Sequence, residues 1–583
     1  MNKENTSIKS YLHRVWEILS TESQNIFAVI CYGILVSLLS LTVPVAVQAL
    51  VNSVAYGHMT QQLLLLSILV FLVLSLSGFF SAIQIYYVEL LQRRLFTRYA
   101  LDLAVRIPRL AHQRFNQICG AEFVNPFLES VIVHKSLSIL LLEGLGLFMQ
   151  IVVGVALLGA YHPFLLLFAL ILIGVIATIF TMDGKRGIKT ADDECTAKYE
   201  MLSWLEDMAR MPILFHSAYG ETFGLRRADD TVRGWLDARR NHFRIIFRQN
   251  ISMFLIHAVA SSLLLGLGGV LVIRGQLSLG QLVAAEIVLN AALSGLSKFG
   301  KHLESFYDLT AAVKKLDNLR NLPLEMEGQD AFADNHSKAA TLNIRNLEVS
   351  FEDSDVPLLS RVNLSLDSGD RACIYGLGSS GKTVLLDCVY GLFTNYQGQI
   401  QIDGYNLEDI TRRSLRTRVA LLGEPDFFHG TMEENLIVGS SNVSRRELRE
   451  LIRVAGLEGA LARIPKGLDA IMLPHSGLFS SSELVRFSLI RAILSRPGLI
   501  LLDRSLDTLD EQSLQDALNI LRSLGNSSSV LAVTNRPEVL QLFPRKFELS
   551  NGTLNQITAE LTSPQLIPST HLSGGNYVTD KKK

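Results

Sequence analysis

The 583-residue chain is poor in cysteine, and its five (Cys31, Cys119, Cys195, Cys373 and Cys388) never fall in a C-x-x-C spacing. That pattern excludes a zinc ribbon and a disulfide framework, leaving reduced structural thiols as the expectation. Charge is scarce too: charged residues make up 19% and the formal net charge is -1. The basic excess that a polyanion partner would attract is missing, so no nucleic acid is expected to bind. The mixed polar N-terminus lacks the short apolar core and small-residue cleavage site of a secretory signal, so insertion into a membrane must be driven by internal segments. Such segments are abundant. Hydrophobic residues reach 49% and the mean hydropathy is +0.28, the balance of a membrane protein with a soluble part.

Apolar stretches of bilayer-spanning length occur at 25–50, 63–90, 136–160, 163–183, 251–273 and 279–300, which predicts six spans. The connections "VNSVAYGHMTQQ" and "AYHPF" carry no Lys or Arg, and the last short turn has only Arg274. The segment after the second span carries Arg93, Arg94, Arg98, Arg106, Arg109 and Arg114, and the stretch after the fourth is basic from Lys185 to Arg248. By the positive-inside rule these basic segments and the N-terminus are cytoplasmic. They contain few turn breakers and read as helices extending the spans into the cytoplasm, their charges serving as solvated faces and contacts to membrane lipid. Within the spans Gln48, Gln84, Glu143, His257, Glu286 and Asn290 are polar. Glu143 and Glu286 are the candidates for a translocation pathway, because an ionisable group at membrane depth usually faces a bundle interior or a wet cavity. Pairing with other helices is the plainer alternative, and a lone His257 reads as packing.

The soluble part holds the clearest chemistry. Gly376-Leu-Gly378-Ser379-Ser380-Gly381-Lys382-Thr383 fits G-x-x-x-x-G-K-[ST], preceded by the strand-like "RACIY" and followed by the apolar-faced helix "TVLLDCVYGLF". Such a loop closes backbone N–H groups around phosphates at the positive end of a helix. Lys382 is expected on the β and γ phosphates and the Thr383 hydroxyl on magnesium. Asp503, closing the apolar run "GLILLD", is the second metal candidate. ATP and Mg²⁺ are therefore the expected cofactors. The expected organisation is a cytoplasmic segment at 1–24, an α-helical six-span transmembrane domain at 25–320, a linker at 321–340, an α/β P-loop nucleotide-binding domain at 341–557 and a disordered tail at 558–583.

This layout, with "SLTVPVAVQALVNSV" and "GQLSLGQLVAAEIVLNAAL" in the first and last spans, resembles the half-transporters of the ABC exporter superfamily, especially the toxin and peptide secretion branch. The resemblance implies that Phe351 stacks on adenine and that "HGTMEENL" and "DTLD" are family loops. It also shows where the chain departs. Gly423 stands for the family glutamine after "VALL", and the signature L-S-G-G-Q is "FSSSE", residues 479–483, keeping Ser480. Arg504 follows Asp503 where the water-activating glutamate belongs, and Asn535 replaces the switch histidine. "LSGGN" at 572–576 lies in the polar tail and reads as a decoy. No catalytic residue is therefore assigned, and ATP is expected to bind with little hydrolysis. The resemblance further implies a dimer with itself or another ABC half-transporter, a periplasmic adaptor protein as partner, a peptide, protein or lipophilic cargo, and the inner membrane of a bacterium with the nucleotide domain cytoplasmic. The alternatives are a non-transporting ATP-binding regulator or scaffold, and a conventional homodimeric ATP-driven exporter.

Overall fold

The computed structural model describes residues 20, 22–55, 60–111, 124–297, 299–332, 338–351, 356–440, 443–473 and 477–557. Arg114, Cys119, most of the N-terminal segment and the tail with "LSGGN" lie outside them. The chain forms two compact units that divide between Leu324 and Glu325.

The first unit is helical: α1 (Ser23–Ser40), α2 (Thr42–Ala55), α3 (Thr60–Arg106), α4 (Glu129–Ile139), α5 (Leu145–Tyr161), α6 (Pro163–Arg210), α7 (Pro212–Phe215), α8 (Ala218–Ile273), α9 (Leu279–Ser297) and α10 (Phe299–Arg320). The first expected span is broken at Leu41 between α1 and α2. Pro44 supplies the cause, since it has no N–H to donate and its ring crowds the carbonyl four residues back, at Ser40. Between α4 and α5 the backbone widens into a π turn, Leu140–Gly144, that contains Glu143. Pro163 opens α6 at a position where its missing donor costs nothing, and His162 caps it by accepting the Phe164 N–H at 3.2 Å.

Helices α3, α6 and α8 have 47, 48 and 56 residues. At about 1.5 Å per residue each is roughly twice as long as the ~30 Å hydrocarbon layer, or longer. The basic segments on them are accordingly helical, and several of their charges are paired rather than only solvated. Lys198 Nζ lies 2.5 Å from the buried Glu129, Arg239 bridges Glu194 and Glu304, and Lys314 meets Asp192 at 2.6 Å. Among the described residues five helical stretches are long and apolar enough to cross a membrane. The sixth expected span is present as α9, but its described apolar stretch, Leu279–Ala291, is shorter than a bilayer crossing needs.

The second unit is α/β. Strands β1 (Leu342–Val349), β2 (Leu359–Leu366), β3 (Arg371–Tyr375), β4 (Gln397–Ile402), β5 (Tyr405–Asn406), β6 (Val419–Leu422), β7 (Gly430–Thr431), β8 (Ile471–Met472), β9 (Leu499–Asp503), β10 (Ser529–Val533), β11 (Arg545–Ser550) and β12 (Thr553–Ile557) form three sheets. The antiparallel sheet runs β2-β1-β4-β5, the central one β12-β11-β3-β10-β9-β6, and β7 pairs with β8. In the central sheet β11, β3, β10, β9 and β6 are parallel. Their near-continuous apolar runs, such as "LILL" and "VLAV", suit strands covered on both faces. Helices α11 (Lys382–Val389), α12 (Arg412–Arg418) and α13 (Ser481–Leu494) belong to this unit. Residues 325–332, in the segment read as linker, lie against α12: Glu325 pairs with Arg416, Glu327 accepts the Arg412 N–H, and Phe332 joins the core.

Candidate functional site

The C-terminal ends of the parallel strands β3 and β9 deliver the site, as expected where strands end and helices begin. Backbone geometry explains the glycines flanking the loop. Gly376 has φ +157°, and a side chain there would meet the Leu549 carbonyl oxygen at 2.2 Å. Gly381 has φ +95° and lies against Leu359. Gly378 has open space beside it, so the loop can approach a bulky anion. Ser379 adopts φ +60°. Lys382 is buried and its Nζ donates to Gly376 O (2.8 Å), Leu377 O (2.7 Å) and Ser380 Oγ (3.0 Å), which holds its charge inside the loop. Burial, then Arg504, holds its pKa below the ordinary lysine value against the opposing pull of Asp503 and Asp507.

Thr383 Oγ1 donates to Asp503 Oδ2 at 2.8 Å, although 120 residues separate them. The other oxygen, Asp503 Oδ1, is buried and has no hydrogen-bond partner among the described residues. A hydroxyl and an unsatisfied carboxylate oxygen at the mouth of a phosphate loop are a donor set that fits Mg²⁺. Phe351 is half exposed and packs edge-on against Phe393, with ring centroids 5.8 Å apart. It lies two residues beyond Val349, whose carbonyl accepts the Leu358 N–H, and Leu358 and Leu359 flank Gly381. Phe351 lines a surface recess together with Asn395, Tyr396 and Gln397. Ser480 is elsewhere: it caps α13, and its hydrogen bonds among the described residues are with Glu483 and not with the phosphate loop.

The departures have partners that sequence reading missed. Asn535 Oδ1 accepts the Gly376 N–H at 3.2 Å, and its backbone N–H donates to Asp507. At the signature, Glu483 accepts the Ser480 N–H at 2.8 Å while Ser480 Oγ accepts the Glu483 N–H at 3.2 Å, a reciprocal capping box. Glu483 also pairs with Arg463. Burial raises its pKa, but the Ser480 N–H and Arg463 outweigh this and hold it below the usual carboxylate range. Asp510 accepts from the Ser513 N–H at 2.9 Å and the Ser513 hydroxyl at 2.7 Å, and these bonds draw its carboxyl to about 2. Arg504 is fixed in the left-handed region at φ +52°, its N–H donating to Val533 O at 2.9 Å. Gly423 has open space where a side chain would project. The capping box had a sequence signal in S-x-x-E; the Arg463 pairing had none.

Residues 359–506 match the ABC transporter family. The fold is similar to that of a bacterial Atm1-family ABC exporter solved with ATP bound, with TM-score 0.81 and 18% identity over 91% of this chain and 95% of that one. An uncharacterized ABC transporter ATP-binding protein of Bacillus subtilis is 25% identical over 316 residues, 54% of this chain and 55% of the relative. ABC transporter B family member 26, chloroplastic, of Arabidopsis thaliana is 26% identical over 296 residues, 49% of this chain and 41% of the relative. The chain spans about half the length of these curated relatives, or less. It has the ABC exporter fold, an N-terminal helical membrane domain with several apolar helices and a C-terminal ABC transporter domain, and that domain implies ATP binding.

Proposed function

We propose that the chain is one half of an exporter in the inner membrane of a bacterium, binding ATP on the cytoplasmic side with little hydrolysis of its own. The observation that carries this is the contrast within one site. Lys382, Thr383 and Asp503 offer contacts able to hold a nucleotide, whereas the neighbouring Arg504 carries only hydrogen-bond donors and cannot take a proton from water. Mg²⁺, held by Thr383 and Asp503, would neutralise charge on the phosphates. Lys382 and the loop N–H groups bind and orient the nucleotide, and Phe351 supports the base.

The partner is a second ABC half-transporter, because the surface around Ser480 makes no use of its own chain's phosphate loop. The Arg463–Glu483 pair favours a heterodimer in which this chain's signature completes the partner's site: the pairing offsets the negative charge that would otherwise repel a γ-phosphate. Cargo is a peptide, a protein or a lipophilic molecule, with an adaptor on the far side of the membrane.

Purification from native membranes tests the assembly, and a second ABC chain is the expected result. Recovery only as a homodimer with an unrelated protein would replace the exporter reading with that of a regulator. ATP binding is expected to need Lys382, and unchanged binding to Lys382→Ala would sink the site assignment.

A further inference from the structure

Helix α9 buries one face of its apolar stretch. Ala284, Ala285, Val288 and Leu289 are all at or below 4% exposure. At about 100° per residue, Glu286 and Asn290 fall roughly 130° and 170° from the middle of that face. Asn290 Nδ2 donates to Glu286 Oε1 at 2.9 Å, and Ser261 Oγ of α8 donates to Asn290 Oδ1 at 3.3 Å, so a polar chain crosses between the two helices. The second oxygen, Glu286 Oε2, is buried and has no hydrogen-bond partner among the described residues.

The other intramembrane acid behaves differently. Glu143 on the π turn is 3.5 Å from Lys301 Nζ, so a cation compensates it within the chain. Among the described residues Glu286 has no such cation. An enclosed carboxylate oxygen without a counter-charge among the described residues is costly at membrane depth, so this site on α9 calls for a cation to occupy it. We infer that Glu286, oriented by Asn290 and Ser261, is a recognition site for the cationic group of a lipophilic cargo. The apolar surroundings of α9 would hold the cargo's hydrocarbon and the free oxygen Oε2 its positive charge. This inference rests on the exporter reading and narrows its cargo.

The test uses the full chain in nanodiscs with radiolabelled tetraphenylphosphonium as the cation and triphenylphosphine oxide as a neutral probe. The unmodified chain should bind the cation saturably. Glu286→Gln should weaken that binding by about tenfold or more, as removal of one member of a desolvated charge pair does. Glu286→Asp should retain most of it, and the neutral probe should not distinguish the variants. Equal binding of the cation to the Gln variant, or no saturable binding to the unmodified chain, would overturn the inference, as would a loss equally large for the neutral probe. ATP separates the two readings. If ATP alters cation binding that depends on Glu286, both stand. If the Glu286-dependent binding never responds to ATP, the exporter reading falls alone; if ATP alters cation binding equally with and without Glu286, the site falls alone.

Discussion

Replacing Arg504 by glutamate asks whether the missing base is the only obstacle to ATP hydrolysis. The backbone at this position is set by the link from its N–H to Val533 and sits at φ +52°. Both residues bear a similar left-handed cost there, about 1–2 kcal/mol, so the substitution should not disturb the fold. A positioned base contributes a factor of about 10² to 10⁴ in rate when the rest of the site is complete. On the proposed reading it is not complete here. Asn535 spends its side-chain oxygen on the Gly376 N–H, and Ser481, Ser482 and Glu483 replace the signature residues. Each absent transition-state contact costs about 10² to 10³, so Arg504→Glu alone in a homodimer should raise turnover by less than about tenfold. Combining it with Asn535→His, Ser481→Gly, Ser482→Gly and Glu483→Gln should raise it by about 10² or more. The assay is magnesium-dependent phosphate release by purified protein, with Lys382→Ala as the blank. Turnover near 1 s⁻¹, on the order seen for ordinary enzymes, by the unmodified homodimer and abolished in that blank would refute the reasoning and show that another group serves as base.

Arg463→Ala should weaken ATP-dependent association of nucleotide domains by several-fold, about 1 kcal/mol, and adding Glu483→Gln should restore it; equal weakening in the single and double variants would show that charge at Glu483 is irrelevant. Lys382 has its pKa held below the usual ~10.4 by burial and Arg504, so ATP affinity should fall as pH rises through that lowered value. Arg504→Gln should move the fall to higher pH, as read by nucleotide fluorescence. Arg486 is buried and bonds both Asp516 (2.8 Å) and the Ala455 carbonyl (2.9 Å), so Arg486→Ala, which removes a charge-assisted bond from the partly exposed Asp516 and leaves the carbonyl without this donor, should cost about 1.5–3 kcal/mol in denaturant unfolding.

What was legible in the sequence was local. The phosphate loop shows because its glycines, lysine and threonine are consecutive, and "RACIY" and "TVLLD" betray the flanking strand and helix through their own patterns. The long helices show for the same reason, since a run without breakers continues. Contacts between distant residues did not show. Nothing near Glu483 marks Arg463, twenty residues earlier in the chain, as its counter-charge, and nothing in "TNRPE" announces that Asn535 reaches Gly376. The break after α1 had a visible signal in Pro44. The π turn at Glu143 had none, because widening one turn of an apolar helix is settled by what packs around it.

The substituted residues bear on how such a protein could work. Side chains left behind by decay of an unused site would be expected to lack partners; here Glu483 has Arg463 and Asn535 has Gly376. That consistency is what a retained structural role produces. Binding alone can still do work on conformation: a nucleotide at a hundred times its Kd biases the state that binds it by about 2.7 kcal/mol, enough to close a nearly balanced pair of domains. It cannot do so repeatedly. Without hydrolysis the bias is removed only when ATP leaves, and a cycle of binding and release at constant ATP concentration performs no net transport against a gradient. On the function proposed above, a homodimer of this chain would therefore equilibrate its cargo rather than pump it. On the same proposal, uphill export would require a partner whose own base fires against this chain's Ser480 surface, and the charge compensation at Glu483 is the feature that would let it do so.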